Sequence, residues 1–380
     1  MKITKLFSSF FESEKSGGLL LIFCTLVSLI LANSTISGAY ISFWHLKVGF
    51  LSLETWINDG LMAIFFLLIG LELKREFYVG ELSRIRNAML PFFAAVGGMI
   101  VPVLIYLMFN FGSKNQSGFG IPMATDIAFA LAILSLLGKK IPTSLKVFLT
   151  ALAVLDDLGA IIVIAIFYSK TIIWQYLLAS LAVFAVLLVF NRLRIKNLFF
   201  YIIPGVLMWI CMFNSGIHAT ISGVLLALVI PFRTIKINSP ADLLQDILHQ
   251  PVAYFVLPIF AMANTALLLN FDWKDTFFCA TSLGIAIGLI VGKPIGIFVF
   301  SYFSVRAKIS KLPYDMSWKS LFGASILGGI GFTMSIFITL LAFDDIILVQ
   351  NSKIVVLISS FLSGLVGFLF LKLSVSTKKN

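Results

Sequence analysis

The feature that most constrains this chain is a series of apolar runs, each long enough to cross a lipid bilayer. A bilayer core about 30 Å thick requires about 20 apolar residues of helix, and lipid offers no partner to backbone groups outside a helix. The sequence therefore predicts an all-α polytopic membrane protein in which residues 1–380 form a single transmembrane domain. About twelve spans are expected, at roughly 17–34, 57–78, 88–109, 121–137, 143–168, 172–190, 198–213, 216–232, 250–270, 281–304, 321–343 and 352–373.

Composition excludes a soluble multidomain protein. Hydrophobic residues make up 60% of the chain and charged residues only 12%, whereas an average globular protein is about 25% charged. Glu12 and Glu14 precede the first run, and no small-residue cleavage site follows it, so we interpret that run as a span and not as a removed signal peptide. The three cysteines lack metal or redox spacing and are expected to be packing residues.

The distribution of basic residues predicts the orientation of the chain. With a cytoplasmic N-terminus, the large majority of the 28 Lys and Arg residues fall in cytoplasmic connections, as expected from the enrichment of basic residues on that side of a membrane protein. An even number of spans then places both termini in the cytoplasm. The net charge of +11 marks this face and does not indicate nucleic-acid binding. The outside positions hold only Lys47, Lys114, Lys170, Lys274 and Lys353.

The longest outside connection, residues 35–56, carries Trp44 and Trp56. Tryptophan is enriched where a membrane protein meets the headgroup region. The connection therefore fits an interfacial aromatic belt, and a contact between two copies of the chain is the alternative.

Three carboxylates lie within apolar runs. Asp126 stands in one run, and Asp156 and Asp157 stand side by side in the next. An acid at the centre of a membrane helix costs about 2.5–3.5 kcal/mol on insertion scales, so it indicates a functional site by default. The alternative is that the acids are paired groups that hold helices together.

Glycine and proline interrupt two spans in corresponding halves of the chain. Pro122 follows Gly118 and Gly120, and Gly328, Gly329 and Gly331 lie within the run 321–343. Glycine weakens a helix, and proline removes a donor and clashes with the preceding turn. Such a pair is typical of transporters whose broken helices hold an ion at the midplane, although close packing of small residues is an alternative explanation.

A broken helix exposes partial charges, positive at its N-terminal end and negative at its C-terminal end. Asp126 can offset N-terminal ends, and Lys293, beside its own Gly/Pro disruption, can offset C-terminal ends. Adjacent helical residues point about 100° apart. Asp156 and Asp157 therefore cannot both face one site symmetrically. One can meet a bound ion while the other meets a neighbour, for which Lys293 is the candidate.

The residue types suit a site shared by a cation and protons. Na⁺ prefers oxygen ligands, and Asp157, Asp126 and Thr125 can supply carboxylate and hydroxyl oxygens. The same carboxylates bind protons, and their proton affinity depends on burial and on nearby charges. Cation and proton would compete for one set of oxygens, which is the minimum chemistry for exchange.

Other ionisable residues lie towards the span ends. Asp59 opens the second span near the outer interface, and Glu72, Lys74, Arg75 and Glu76 lie at its inner end. Glu72 shares a helix face with Arg75 and with Glu76. A solvated helix end explains this group, and a cytoplasmic funnel that attracts cations is the functional alternative.

Two histidines lie near span ends, His218 at an outer end and His249, after Asp246, at an inner end. A lone histidine usually serves as a hydrogen-bonding residue. The alternative is a pH sensor, because its unperturbed pKa is about 6.5.

Several long motifs in order resemble the NhaA family of bacterial Na⁺/H⁺ antiporters, which itself exemplifies the interrupted-helix pattern. The resemblance covers nearly the whole chain. The motifs are WINDGLMAIFFLLIGLELKRE (Trp56–Glu76), IPMATDIAFA (Ile121–Ala130), LDDLGAI (Leu155–Ile161), SGIHAT (Ser215–Thr220), GKPIG (Gly292–Gly296) and GGIGFTMSIFI (Gly328–Ile338).

The resemblance implies inverted-topology repeats, in which spans three to five correspond to spans ten to twelve and the interrupted spans 4 and 11 cross. It implies that Asp157 is the central Na⁺ and Li⁺ ligand, that Asp156 is its proton-linked partner, and that Lys293 pairs with Asp156. It further implies that Asp126 compensates charge where the spans cross and that Thr125 contacts the ion.

The resemblance also implies export of Na⁺ driven by inward proton flow, with more protons than cations moved, activation at alkaline pH, and a homodimer in the lipid membrane. Where the family often carries a Glu and His cluster, this chain has Gln245, Asp246 and His249. The ion site is therefore expected to carry over, while the activation pH is not.

Two other functions share parts of this pattern, a cation channel or proton leak and a Na⁺-coupled symporter of organic solutes. The sequence lacks the repeated filter or acidic ring of a channel, and a symporter would need a larger polar cavity. It also lacks a hydrolase triad, a phosphate loop and a metal-ligand cluster. We therefore expect neither an enzyme nor a cofactor, and no nucleic-acid or protein substrate.

Overall fold

The computed structural model describes residues 2–138, 141–169, 171–232, 239–269 and 273–376. Among the basic residues assigned to connections, Lys139, Lys140, Lys170, Arg233, Lys236, Lys378 and Lys379 lie outside these ranges. The α-helices in chain order are α1 (Lys2–Ala32), α2 (Ser37–Trp44), α3 (Leu53–Thr55), α4 (Met62–Tyr78), α5 (Ile85–Asn110), α6 (Ile127–Leu136), α7 (Thr143–Phe167), α8 (Trp174–Arg192), α9 (Phe199–Ser215), α10 (Ile221–Val229), α11 (Pro240–Pro251), α12 (Leu257–Asn264), α13 (Trp273–Phe277), α14 (Ala280–Ile287), α15 (Lys293–Arg306), α16 (Trp318–Gly328), α17 (Phe332–Ala342) and α18 (Ile346–Ser376).

The remaining regular structure consists of short 3₁₀ and π-helical segments and one small β-hairpin. The 3₁₀ segments are Glu81–Ser83 and Gln116–Met123, and the π-helical turns are Trp56–Leu61, Val252–Val256 and Gly288–Gly292. The two-residue strands β1 (Lys47–Val48) and β2 (Leu51–Ser52) pair antiparallel.

Nine helical stretches of the described chain are long and apolar enough to cross a membrane, or ten if α16 and α17 form one bent span. Two of the twelve predicted spans fall short of that length. The run predicted at 198–213 is the 17-residue helix α9, and the run predicted at 216–232 contains only the nine residues of α10. These two spans were predicted from hydropathy alone. Hydropathy does not show that the turn between the two runs shortens the second helix.

The chain divides into two compact units. The first comprises Met1–Leu29, Arg84–Ala160 and Leu267–Asn380. Within it α5 packs most extensively on α15, while α16 and α17 pack on α18. Its core contains the segments around Asp126 and Asp156, and both side chains are buried.

The second unit comprises Ile30–Ser83 and Ile161–Ala266. In this unit α4 packs on α10, and α8 packs on α9. Of the 19 residues of α8, only Ser180 and Leu187 are buried, which leaves most of its apolar surface facing outwards, as expected for a helix bordered by lipid. The Trp56 and Trp209 rings stack with centroids 5.8 Å apart.

Lys74 closes the short helix α10. Its ammonium group donates to the carbonyl oxygens of Leu228 at 2.8 Å and Ile230 at 2.6 Å, and Asn191 donates to Val229 O. A cation is favoured at a helix C-terminus because the final carbonyls lack intrahelical partners. These contacts explain how so short a helix ends within an apolar unit.

Helices α5 and α15 touch backbone to backbone. A methyl group built on Gly296 would overlap the carbonyl oxygen of Gly97, and one built on Gly97 would overlap that of Gly296. Small residues permit such close approach between membrane helices. The two glycines therefore set the separation of this helix pair.

We expect Gly296→Ala to lower the free energy of unfolding by about 1–3 kcal/mol, the usual cost of overpacking. The thermal unfolding midpoint of the purified protein in detergent measures the effect. Gly38→Ala, in α2, is the control because nothing lies within 4 Å of its added methyl group. Equal midpoints for the two variants would show that the α5–α15 contact is not tight.

Candidate functional site

The stretch before Asp126 is irregular. The 3₁₀ segment Gln116–Met123 ends in extended backbone at Ala124, with φ −83° and ψ 148°, and α6 begins at Ile127. Pro122 lies within the 3₁₀ segment, where it has no N–H to donate. The chain therefore exposes peptide groups on both sides of residues 124–126.

A second irregular stretch separates α16 from α17. Helix α16 ends at Gly328 and α17 begins at Phe332, with a bend of 41° between them. Residues Gly328–Phe332 are buried. A buried peptide group without a partner costs free energy, so the groups freed by this bend require partners from elsewhere.

Asp126 joins the beginnings of two helices. Its Oδ1 accepts the N–H of Phe129 at 2.9 Å and so caps α6. Its Oδ2 accepts the N–H of Thr333 at 3.0 Å and also the Thr333 hydroxyl. One carboxylate, only 2% exposed, therefore faces the positive ends of α6 and α17 together.

The carbonyl groups freed by the two breaks are also bonded. Ile330 O accepts the N–H of Asp126 at 2.7 Å. Gly328 O accepts the Thr125 hydroxyl at 3.0 Å. Ile121 O accepts the Ser335 hydroxyl at 2.6 Å. The two breaks are thus linked to each other by backbone and hydroxyl groups.

Asp156, on α7, is completely buried. Its Oδ2 accepts the Thr125 hydroxyl at 2.6 Å and lies 3.0 Å from Lys293 Nζ. Its Oδ1 is buried and has no hydrogen-bond partner among the described residues. One oxygen is therefore held in place, while the other retains its lone pairs.

Lys293 begins α15 after the π-helical turn Gly288–Gly292. Its side chain is fully buried. Besides Asp156, its ammonium group bonds Met123 O, at the C-terminal end of the 3₁₀ segment. Lys293 therefore offsets both a carboxylate and a helix end.

Asp157 lies beside Asp156 on α7 and is 1% exposed. On a helix its side chain points about 100° away from that of Asp156. Its charge also acts on Lys293. The structure thus places Asp126, Thr125, Asp156, Asp157 and Lys293 in one buried region of the first unit.

The remaining predicted residues lie in the second unit. Asp59 Oδ1 is 3.9 Å from His218 Nδ1. Glu72 Oε1 is 3.8 Å from His249 Nδ1. These two pairs were not predicted, because the partners lie far apart in sequence.

The other members of the predicted funnel are more peripheral. The side chains of Arg75 and Asp246 are exposed, and that of Glu76 is partly buried. Their positions near helix ends agree with a solvated surface.

Three hydroxyl residues of the site were not predicted to be site residues. Thr333 and Ser335 lie within the Gly328–Ile338 motif. Two hydroxyl residues in an otherwise apolar run are the sequence signal that could have identified them. Ser360 accepts the N–H groups of Gly331 and Phe332. Nothing in the sequence near Ser360 relates it to a break 28 or 29 residues earlier.

The donor set comprises carboxylate, hydroxyl and carbonyl oxygens around one ammonium group. Within the described parts of the chain, no group of three or more His, Cys, Asp and Glu side chains is placed to hold a metal ion. Oxygen atoms of these types suit hard cations such as Na⁺.

The candidate spans define a multi-pass membrane protein with a buried charged cluster. A sequence model of the family described as Na⁺/H⁺ antiporter 1 matches residues 8–371. The Na⁺/H⁺ antiporter NhaA of Flavobacterium psychrophilum is 61% identical over 372 residues, covering 98% of this chain and 97% of the relative. The chain belongs to the NhaA family of Na⁺/H⁺ antiporters.

Two further relatives match over similar lengths. Na⁺/H⁺ antiporter NhaA 1 of Flavobacterium johnsoniae is 56% identical over 380 residues, covering 100% of both chains. Na⁺/H⁺ antiporter NhaA of Proteus mirabilis is 46% identical over 380 residues, covering 97% of each. The similarity therefore extends over both compact units.

We expect the Lys293–Asp156 pair to couple strongly in a double-mutant cycle. Lys293→Met alone leaves a buried carboxylate without its cation, and breaking a buried pair in this way costs about 3–5 kcal/mol. Adding Asp156→Asn removes that charge, so the double variant should unfold at a higher temperature than Lys293→Met. Unfolding midpoints in one detergent measure the cycle, and additive losses would contradict a direct ion pair.

Proposed function

We propose that this protein exchanges Na⁺, and also Li⁺, for protons across the bacterial inner membrane. The observation that carries the proposal is the buried cluster of Asp156, Asp157 and Thr125 beside Lys293. It is supported by family membership and by relatives named as Na⁺/H⁺ antiporters. Export of Na⁺ by this exchange would serve sodium and pH homeostasis.

In this proposal Asp157 is the central cation ligand and Asp156 is its proton-linked partner. Asp156 Oδ1, which has no hydrogen-bond partner among the described residues, is available to a proton or a cation. A proton on Asp156 removes the negative charge that faces Lys293 at 3.0 Å. Protonation therefore changes the forces on α7 and α15, which supplies a physical link between proton uptake and conformational change.

Competition makes the exchange obligatory. A carboxylate that holds a proton has lost the charge that attracts Na⁺, and a carboxylate that holds Na⁺ resists protonation. With alternating access to the two sides, the same oxygens release Na⁺ on one side and protons on the other. Two carboxylates serve one cation, so more protons than cations move and the cycle carries net charge.

For the architecture, we propose twelve spans with inverted repeats, in which the stretches 116–136 and 318–342 are the interrupted spans 4 and 11. The bonds of Asp126 to Thr333 and to Ile330 support a close approach of these stretches. The runs at 198–213 and 216–232 then count as spans, since irregular backbone is tolerated where protein covers it. Both termini lie in the cytoplasm, in keeping with the distribution of basic residues.

Two further properties belong to this proposal. Activity responds to pH, and the histidine pairs Glu72–His249 and Asp59–His218 are the candidate groups because histidine changes charge near neutrality. The protein also forms a homodimer in the lipid membrane, for which the outer hairpin Lys47–Ser52 offers exposed Val48 and Phe50.

We expect Na⁺ addition to acid-loaded everted vesicles to cause proton release, reported by dequenching of a pH-sensitive dye. Asp157→Asn should abolish the signal, since the amide cannot hold a proton and a cation in turn. Asp156→Asn should reduce the coupling of proton flux to Na⁺. The amount of folded protein is compared by size-exclusion chromatography.

Asp315→Asn is the matched control, because Asp315 is exposed and lies outside the cluster. It should retain the wild-type signal. Full activity of Asp157→Asn would defeat the site assignment. Flux of Na⁺ without proton movement would indicate a channel.

We expect the KM for Na⁺ to rise as the pH falls, by up to about tenfold per pH unit where one proton competes with one cation. The KM rises at low pH because a higher proton concentration competes more strongly with Na⁺ for the carboxylates. Initial rates at saturating Na⁺ should depend less on pH than rates at low Na⁺. A KM that is independent of pH would rule out competition at shared oxygens.

A further inference from the structure

The beginning of α17 has no capping side chain of its own. Its N-cap residue is Gly331, which makes no side-chain hydrogen bond. A methyl group added there would overlap Ser335 Oγ, so Ser335 would have to shift to admit a side chain. The first N–H groups of a helix have no intrahelical partners, so those of α17 must be satisfied by residues distant in sequence.

Ser360, on α18, supplies one of these partners. Its hydroxyl oxygen accepts the N–H of Gly331 at 3.2 Å and the N–H of Phe332 at 3.0 Å. The next N–H, of Thr333, is bonded by Asp126. Three consecutive N–H groups are thus divided between a neutral hydroxyl and a carboxylate. Ser360 itself is buried, with 1% of its surface exposed.

The stretch that Ser360 holds makes direct contacts with the proposed ion site. Ile330 O accepts the N–H of Asp126. Two residues earlier, Gly328 O accepts the hydroxyl of Thr125, which also bonds Asp156. A shift of the first turn of α17 would therefore move atoms that orient Thr125.

We propose that Ser360 is a positioning residue for the cation site. It fixes the first turn of α17 and so keeps Thr125 in place beside Asp156. The inference rests on the proposed Na⁺/H⁺ exchange. Ser360 touches neither Asp156 nor Asp157 in the contacts described above, so its effect passes through backbone geometry.

The test compares Ser360→Ala, Ser360→Thr and Ser359→Ala in everted vesicles. Ser360→Ala leaves two buried N–H groups without their acceptor, and such a loss is large enough to be seen in affinity. We expect its KM for Na⁺ to rise about tenfold, equivalent to about 1.4 kcal/mol, with kcat within about twofold of wild type. Ser360→Thr, which keeps the hydroxyl, should restore most of the affinity.

Ser359→Ala is the matched control. Ser359 is equally buried and precedes Ser360 on α18, but it points about 100° away around the helix. Its KM for Na⁺ should equal that of wild type. Because Ser360 carries no charge, the ratio of KM values between Ser360→Ala and wild type should be the same at two pH values one unit apart.

Two outcomes would overturn the inference. The first is an unchanged KM in Ser360→Ala; a lower unfolding midpoint and a lower kcat alongside it would make Ser360 merely structural. The second is an equal rise of KM in Ser359→Ala, which would indicate a general loss of packing in α18. By contrast, an absence of Na⁺-dependent proton flux in the wild type would refute the proposed exchange itself.

Discussion

The structure of the first unit depends on helix ends that lie away from water. Each end exposes peptide N–H or carbonyl groups that a soluble protein would leave to solvent. Here Asp126 and Ser360 serve the N–H groups at the start of α17, and Lys293 serves a carbonyl at Met123. The breaks are stable because charged and hydroxyl side chains from other elements complete them.

The carboxylates of the cluster differ in how fully they are hydrogen-bonded. Both oxygens of Asp126 accept hydrogen bonds from donors of α6 and α17. One oxygen of Asp156 accepts the Thr125 hydroxyl and pairs with the Lys293 ammonium group. Its other oxygen has no hydrogen bond within the described chain. A mobile ion is better accommodated at an oxygen with free lone pairs.

Hydropathy and charge alone predicted the membrane class, because the apolar runs and the single acids within them are local signals. The long motifs named the family and the residues of the cluster. Sequence could not relate Ser360 to Gly331 or His249 to Glu72, since these contacts depend on how distant helices pack. The predicted count of twelve spans rested on hydropathy, whereas the length of α10 depends on where Lys74 and Asn191 close it.

The contact of α5 with α15 through Gly97 and Gly296 has a mechanical consequence. Two main chains at their closest approach leave no gap into which a lipid tail or a water molecule can slip. Sliding of one helix along the other would have to lift the backbones apart first. Helices α5 and α15 should therefore move together as one rigid unit that includes Lys293. Any rearrangement that opens the site must then occur at other helix contacts.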